Sequence, residues 1–170
     1  MRYNPDILET ITLEREIPKE ESKSQVSIQR LGSQDLILFK QLIEIFKETF
    51  DGQSKKEIDE FSLNTMLRHV TFVGFVAKID NEVIGGLTGY EIRSYYKDES
   101  EFFLYNLAVK PGYKKKGFGK LLMKTILGFS KDMGHSRLYV GAHIKGSNAV
   151  DFYRNSGATE YKVSKFVYEL

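Results

Sequence analysis

The hydrophobic period changes twice between residues 101 and 142, and this change constrains the fold more than any other feature of the chain. "EFFLYNLAV" is apolar almost without a break, as a strand covered on both faces must be. Phe118, Leu122, Ile126, Phe129 and Met133 then recur at three- and four-residue steps along one helical face, and Gly134 supplies a stop. "RLYVGA" reads as a further buried strand. Strand, helix and strand in that order form a crossover, so the two strands are parallel and the helix covers their sheet.

The rest of the chain reads as hairpins and helices around that unit. "VSIQRL" suits a short strand, and Ser33 caps a helix carrying Leu36, Phe39, Ile43, Phe46 and Phe50 on one face. "FSLNTMLRHV" is a short helix. "TFVGFVAKI" alternates as a strand, "DNE" turns, and "VIGGLTGYEI" returns antiparallel. "NAVDFYRNSG" is a helix stopped by Gly157, and "EYKVSKFVYEL" closes the chain with strand character. The order is βααβββαβαβ, an α/β (α+β) arrangement with a mixed, mostly antiparallel central sheet flanked by helices. Residues 1–25 differ: Ile11, Leu13 and Ile17 alternate weakly before Pro18 and the polar run "KEESKSQ" interrupt. They read as an N-terminal extension or arm, with one domain over residues 26–170.

Composition removes several function classes. Twenty-five basic against 23 acidic residues leave a net charge of +2, so no global field points to nucleic acid or an anionic membrane. The absence of cysteine excludes disulfides, thiolate nucleophiles and cysteine metal sites. His69, His135 and His143 have no second ligand at helical spacing, so no metal is expected. The N-terminus lacks the apolar segment of a signal peptide and no run approaches a membrane span, which makes the cytoplasm the expected location.

The first connection of the crossover carries the chemistry. In "LAVKPGYKKKGFGKLLM" the helix opens near Gly117, where unpaired N–H groups and the positive end of the helix dipole suit a phosphate. Gly117 and Gly119 let a diphosphate approach the backbone, and Lys114, Lys115, Lys116 and Lys120 add mobile positive charge. A P-loop would need lysine after Gly117, where Phe118 stands, and a dinucleotide fingerprint would need glycine at Leu122. The basic cluster is compact and lacks the aromatic array of a nucleic-acid surface. An anion cradle and a solvated basic helix start both remain open on these residues.

The loop resembles the acetyl-coenzyme A signature of the GNAT N-acetyltransferase superfamily, Arg/Gln-x-x-Gly-x-Gly/Ala, here Lys114-Lys115-Lys116-Gly117-Phe118-Gly119 after "LYNLAVKP". Lysine stands first where the family carries arginine or glutamine. "SNAVDFYRNSGA" resembles a second family segment, Asn-x-x-Ala/Val-x-x-Phe-Tyr-x-x-x-Gly. The resemblance runs from about Val26 to Leu170 and implies acetyl-CoA as acetyl donor. It places Leu107, Ala108, Val109 and the run from Lys114 through Lys115, Lys116, Gly117, Phe118, Gly119 to Lys120 along the cofactor. It also puts Asn148 near the pantetheine arm and Tyr153 near the thioester sulfur. The nearest subgroup by pattern is the aminoglycoside 3-N-acetyltransferases, through "SEFFLYNLAV", "LRHVTFVGFVA" and "VIGGLTGYEI". That subgroup usually carries aspartate where this chain has Asn106, and an amide is no base.

Amide formation needs a neutral amine, a donor for the developing oxyanion and a proton for the departing thiolate. Glu101 is the first candidate base, acting directly or through water, with Asp98 and Glu99 behind it. Glu101 and Asn106 are the candidate acceptor-binding residues. The N–H of Leu107 or a close neighbour would polarise the acetyl carbonyl where the strand splays, as in the family, and Tyr153 would be the general acid. The expected activity is transfer of an acetyl group to a primary amine of a small molecule, an aminoglycoside among the candidates. Polyamine or peptide acetylation and a noncatalytic acyl-CoA sensor are the alternatives. The family habit of dimerising through terminal strands implies a homodimer, for which "KVSKFVYEL" has the right β-branched and aromatic content.

Overall fold

The structure, a computed structural model, describes residues 26–51, 58–142 and 148–170. The expected N-terminal arm and His143 lie outside the described residues.

Among the described residues five strands form one sheet, in the order β1-β2-β3-β4-β5. β1 (Val26–Arg30), β2 (Phe72–Ile79), β3 (Glu82–Arg93) and β4 (Ser100–Val109) pair antiparallel in sequence, and β5 (Arg137–Val140) joins β4 in parallel. The fold class is the α+β arrangement expected. Asp80 and Asn81 alone connect β2 to β3, and Asp80 takes the positive φ of 54° that so short a hairpin needs.

Helices cover both faces. α1 (Leu36–Phe46) and α2 (Glu60–Arg68) place Phe39, Leu42, Ile45, Phe46, Leu63 and Leu67 against one face of the sheet. α3 (Phe118–Asp132) buries Phe118, Leu122, Met123 and Ile126, and its Phe129 ring meets Phe75 edge-on at 5.6 Å on the other face. Gly134 ends α3 at φ 75°, as its position implies.

Two details of α1 depart from the sequence pattern. Asp35, not Ser33, occupies the N-cap, and its carboxylate accepts hydrogen bonds from the Gly32 N–H (2.7 Å) and the Gln29 amide (3.2 Å), which ties the helix entry to β1. The stripe also does not reach Phe50, which is 57% exposed. After Phe46 the chain widens into a π-helical turn, Lys47–Asp51, and the extra residue per turn rotates Phe50 off the apolar face.

β5 is not the buried strand expected: its residues alternate between exposed and half-buried. Among the described residues it is laddered to β4 alone.

From Gly141 the chain forms a second compact unit. α4 (Ala149–Asn155) ends as expected at Gly157, whose φ of 93° lets its N–H reach the Arg154 carbonyl (3.0 Å) while Ala158 N–H reaches that of Tyr153 (3.1 Å). The closing strand does not form. Residues 158–170 carry no strand, and Tyr161, Val163, Phe166 and Tyr168 are exposed. β-branched and aromatic residues suit a pleated, half-buried surface, but a strand also needs a neighbour to hydrogen-bond.

Candidate active site

The site begins with an irregularity in β4. Thr88 of β3 faces Asn106, but Gly89 faces Leu104, so Tyr105 is an extra residue on β4. Such a bulge turns the strand and takes a main-chain group out of the ladder. Gly89 permits the close approach there: a Cβ at that position would lie 2.5 Å from the Phe102 ring and from the Phe103 carbonyl oxygen. The bulge coincides with a parting of strands. β4 and β5 are in register from Glu101↔Arg137 to Leu104↔Val140, where β5 ends, while β4 runs on to Val109. Beyond Leu104, β4 is therefore laddered on its β3 edge only, and the main-chain groups of its other edge around Leu107 are not taken by β5.

β4 leads directly into the cationic loop. Pro111–Tyr113 form one 3-10 turn, Lys115 has φ 61° and Gly117 φ 92°. Leu121 is the first residue of α3 whose N–H finds a carbonyl, that of Gly117 at 3.0 Å. The N–H groups of Lys115, Lys116, Gly117, Phe118, Gly119 and Lys120 have no main-chain acceptor among the described residues. Left-handed residues at 115 and 117 curl these donors into a concavity at a helix N-terminus, a shape that holds anions. Phe118 is buried and anchors the helix start, while Lys114, Lys115, Lys116 and Lys120 are exposed and have no acidic partner among the described residues. The donor set fits a diphosphate.

A clamp unforeseen in the sequence holds the loop. Glu82, the first residue of β3, accepts hydrogen bonds from Lys110 Nζ (2.7 Å) and the Tyr113 hydroxyl (3.1 Å), and Lys110 N–H bonds the Ile84 carbonyl (2.8 Å). The hydrogen bond from Lys110, then that from Tyr113, hold the Glu82 carboxyl below its usual value. The same contact with Glu82 raises the Tyr113 phenol. The Tyr113 ring stands edge-on to Phe118 at 6.2 Å with Lys116 Nζ 5.4 Å from its centroid. Only the antiparallel hairpin, 31 residues of separation closed in space, brings Glu82 to Tyr113.

The other expected residues are distributed as follows. Leu107 is half-buried, and the side chains of Ala108 and Val109 are buried, so these two can offer a cofactor main chain only. Asn106 is half-buried opposite the buried Thr88. Glu101 is at the far end of β4, and its Oε1 forms an ion pair with Arg137 Nε at 2.8 Å. Four residues of strand rise separate it from Tyr105, roughly 13 Å. Asp98 and Glu99 are exposed in the β3–β4 connection. Asn148 and Tyr153 belong to the second unit. Asn148 heads α4 and its side chain makes no capping bond, while Tyr153 is half-buried, and burial pushes its phenol above the usual value. Tyr153 thus keeps its proton at neutral pH. Among the described residues no group of three or more His, Asp or Glu could hold a metal, and no helix is long and apolar enough to cross a membrane.

Comparison with known protein families matches residues 39–158 to the acetyltransferase (GNAT) family. Among solved structures, the aminoglycoside acetyltransferase meta-AAC0020, from an uncultured soil metagenomic sample and in complex with sisomicin, is 32% identical. The match covers 85% of this chain and 96% of that one, with a TM-score of 0.82. The aminoglycoside acetyltransferase HMB0005, from another such sample, shares the fold at 20% identity and a TM-score of 0.79, over 86% of this chain and 99% of its own. The aminoglycoside N-acetyltransferase AAC(6')-Iy in complex with CoA shares it at 15% identity and 0.73, over 90% and 98%. No curated protein matched. With the bulged and splayed β4, the diphosphate-shaped loop and these matches together, the chain belongs to the GNAT acetyltransferase family and is an acetyl-CoA-dependent N-acetyltransferase.

Proposed function

We propose that residues 26–170 transfer an acetyl group to a primary amine of a small molecule, with aminoglycoside amines as the first class to screen. The observation that carries this reading is the coincidence, between Leu104 and Lys120, of the β4 bulge, the parting of β4 from β5 and the loop of free donors at 115–120. The structural neighbour in complex with sisomicin supports the aminoglycoside class, and the 3-N subgroup pattern around "SEFFLYNLAV" supports that regiochemistry.

Acetyl-CoA, when bound, supplies the activated acetyl thioester. The N–H groups at 115–120 and the lysines beside them hold its diphosphate, and a main-chain N–H near Leu107 donates to the acetyl carbonyl. Glu101 is the proposed base, and because roughly 13 Å of strand separates it from the bulge, the ammonium proton would reach its carboxylate along a chain of several waters rather than directly. Tyr153 gives its proton to the departing thiolate, and Asn148 contacts the pantetheine arm. Tyr153→Phe accordingly lowers kcat by roughly 10²-fold while coenzyme A affinity stays within about twofold. Two copies associate through the apolar residues of 158–170, exposed in the single chain. A monomeric mass by light scattering at micromolar concentration would refute that assembly.

A screen for thiol release over aminoglycosides, spermidine and peptide amino termini tests the activity. Release with at least one primary amine is expected. A chain that binds acetyl-CoA and turns over none of them would overturn the reading.

A further inference from the structure

Lys124 has no part in the diphosphate cradle, yet it stands close behind it on α3. From residue 102 to residue 131 the sequence carries seven lysines and neither aspartate nor glutamate, against a net charge of +2 for the whole chain. Two of the seven are placed by neighbours of their own: Lys110 is engaged by Glu82, and Lys116 Nζ lies 5.4 Å from the Tyr113 ring centroid. Lys120, Lys124 and Lys131 are exposed and follow one another on α3 at four- and seven-residue steps. They therefore share one ridge of the helix, while the buried Phe118, Leu122 and Ile126 take the opposite side.

Helix rise sets the reach of each. Lys124 lies roughly 9 Å along the axis from Phe118, and Lys131 roughly 20 Å. Helical side chains lean towards the N-terminus, and a four-carbon stem extends about one turn, ~5 Å. The Lys124 ammonium thus comes within about one turn of the donors at 115–120, whereas that of Lys131 stays more than two turns away.

The cofactor has an anion to match. Besides its diphosphate, coenzyme A carries a phosphate monoester on the 3′ oxygen of its ribose, with nearly two negative charges at neutral pH. The main-chain N–H groups at 115–120 already provide for the diphosphate. Because the acetyl end belongs at the β4 bulge, the ribose end belongs on the other side of the diphosphate, where the exposed lysines are. A second dianion there meets ammonium groups and the positive end of α3 together.

We infer that Lys124 binds the 3′-phosphate of coenzyme A, with Lys120 shared between that phosphate and the diphosphate, so that the chain selects coenzyme A over its 3′-dephospho form. The inference rests on the assignment of the diphosphate to residues 115–120 and adds the other anionic group of the same cofactor.

Calorimetric titration of the full chain with coenzyme A and with 3′-dephospho-coenzyme A at low ionic strength tests it. The parent should bind coenzyme A roughly 5- to 10-fold more tightly, the scale of one or two exposed charged contacts, and added salt should narrow the ratio. Lys124→Ala should bring the ratio to within about twofold by weakening coenzyme A alone, and Lys124→Arg should preserve it. Lys120→Ala should weaken both ligands. Lys131→Ala, on the same ridge but out of reach, should change neither. A parent that does not discriminate, or a ratio indifferent to Lys124→Ala, would overturn the assignment; an acid from any part of the chain that holds Lys124 would give that second result. Equal weakening of both ligands by Lys124→Ala, or a loss in Lys131→Ala as large as that in Lys124→Ala, would overturn it too, the first returning Lys124 to the diphosphate and the second reducing the ridge to a general field. Failure of both ligands to bind the parent would count against the cradle and this inference together.

Discussion

The two ends of β4 are built from one continuous strand yet face opposite tasks. From Ser100 to Leu104 the strand lies between β3 and β5, and what it presents outward is side chains: Glu101 with Arg137, and Phe103 under Tyr139. From Tyr105 to Val109 it pairs, among the described residues, with β3 alone; Ala108 and Val109 turn into the core, and beside the exposed Tyr105 and the half-buried Asn106 and Leu107 it presents main chain. A strand paired on both edges has spent its backbone donors, so only side chains remain to read a ligand. A strand paired on one edge has donors to give. On the proposed reading the base Glu101 belongs to the paired end and the acetyl donor to the parted end.

Substitutions at the two ends should separate into two kinetic signatures, and the largest expected effect is at the paired end. Glu101→Gln keeps the shape but removes the base and its ion pair with Arg137, and kcat at neutral pH should fall by roughly 10²- to 10⁴-fold. The deficit should shrink as pH rises towards the amine's own pKa of about 10. Arg137→Gln, which leaves the carboxylate in place, should cost less. Equal rates for Glu101→Gln and the parent would make the ion pair purely architectural.

Gly117→Val comes next, at the parted end. A β-branched residue at φ 92° is strained by about 1–3 kcal/mol, so coenzyme A should bind roughly 10- to 100-fold more weakly by calorimetry while the acceptor KM stays put. A loss that falls on the acceptor instead would erase the division between ends.

Glu82→Gln loosens the clamp without touching the anion cradle, and a roughly three- to fivefold rise in KM for acetyl-CoA with unchanged kcat is expected, a small effect because the clamp is exposed to solvent. The sign of its pH dependence is fixed. The folded carboxyl is held below its usual value, so the clamp is complete above the ordinary carboxylate pKa and fades only as pH falls through the depressed one. KM for acetyl-CoA should therefore not rise between ~pH 8 and ~pH 5 on account of this residue. The smallest effect is Lys114→Ala, at most about twofold and erased by salt, because the main-chain donors survive the substitution.

Local signals carried the sequence reading far at the parted end. The switch of period from "EFFLYNLAV" to the α3 stripe located the crossover, and Gly117, Gly134 and Gly157 all sit at positive φ where the chain changes element. The paired end was harder to read. Glu101 meets Arg137 because a parallel register closes 36 residues of separation, and nothing in either neighbourhood announces it. The rings of Tyr90, Phe103, Tyr105 and Tyr139 meet from three strands, and the bulge that brings Tyr105 to them is invisible in composition. At 158–170 the sequence spoke of strand propensity, and propensity could not say whether a neighbour would be there. The π turn after Phe46 defeated the stripe for a similar reason: one residue of slippage changes a face without changing a pattern.

The bulge at Tyr105 has a genetic meaning as well as a geometric one. What it offers beyond Leu104 is peptide group, which every codon but that for proline supplies equally. Point mutation can hardly remove such a donor, whereas each ring and carboxylate of the paired end can be lost in a single nucleotide change. On the proposed reading, a protein divided in this way can exchange its acceptors over successive generations while the main-chain donor beside the bulge persists.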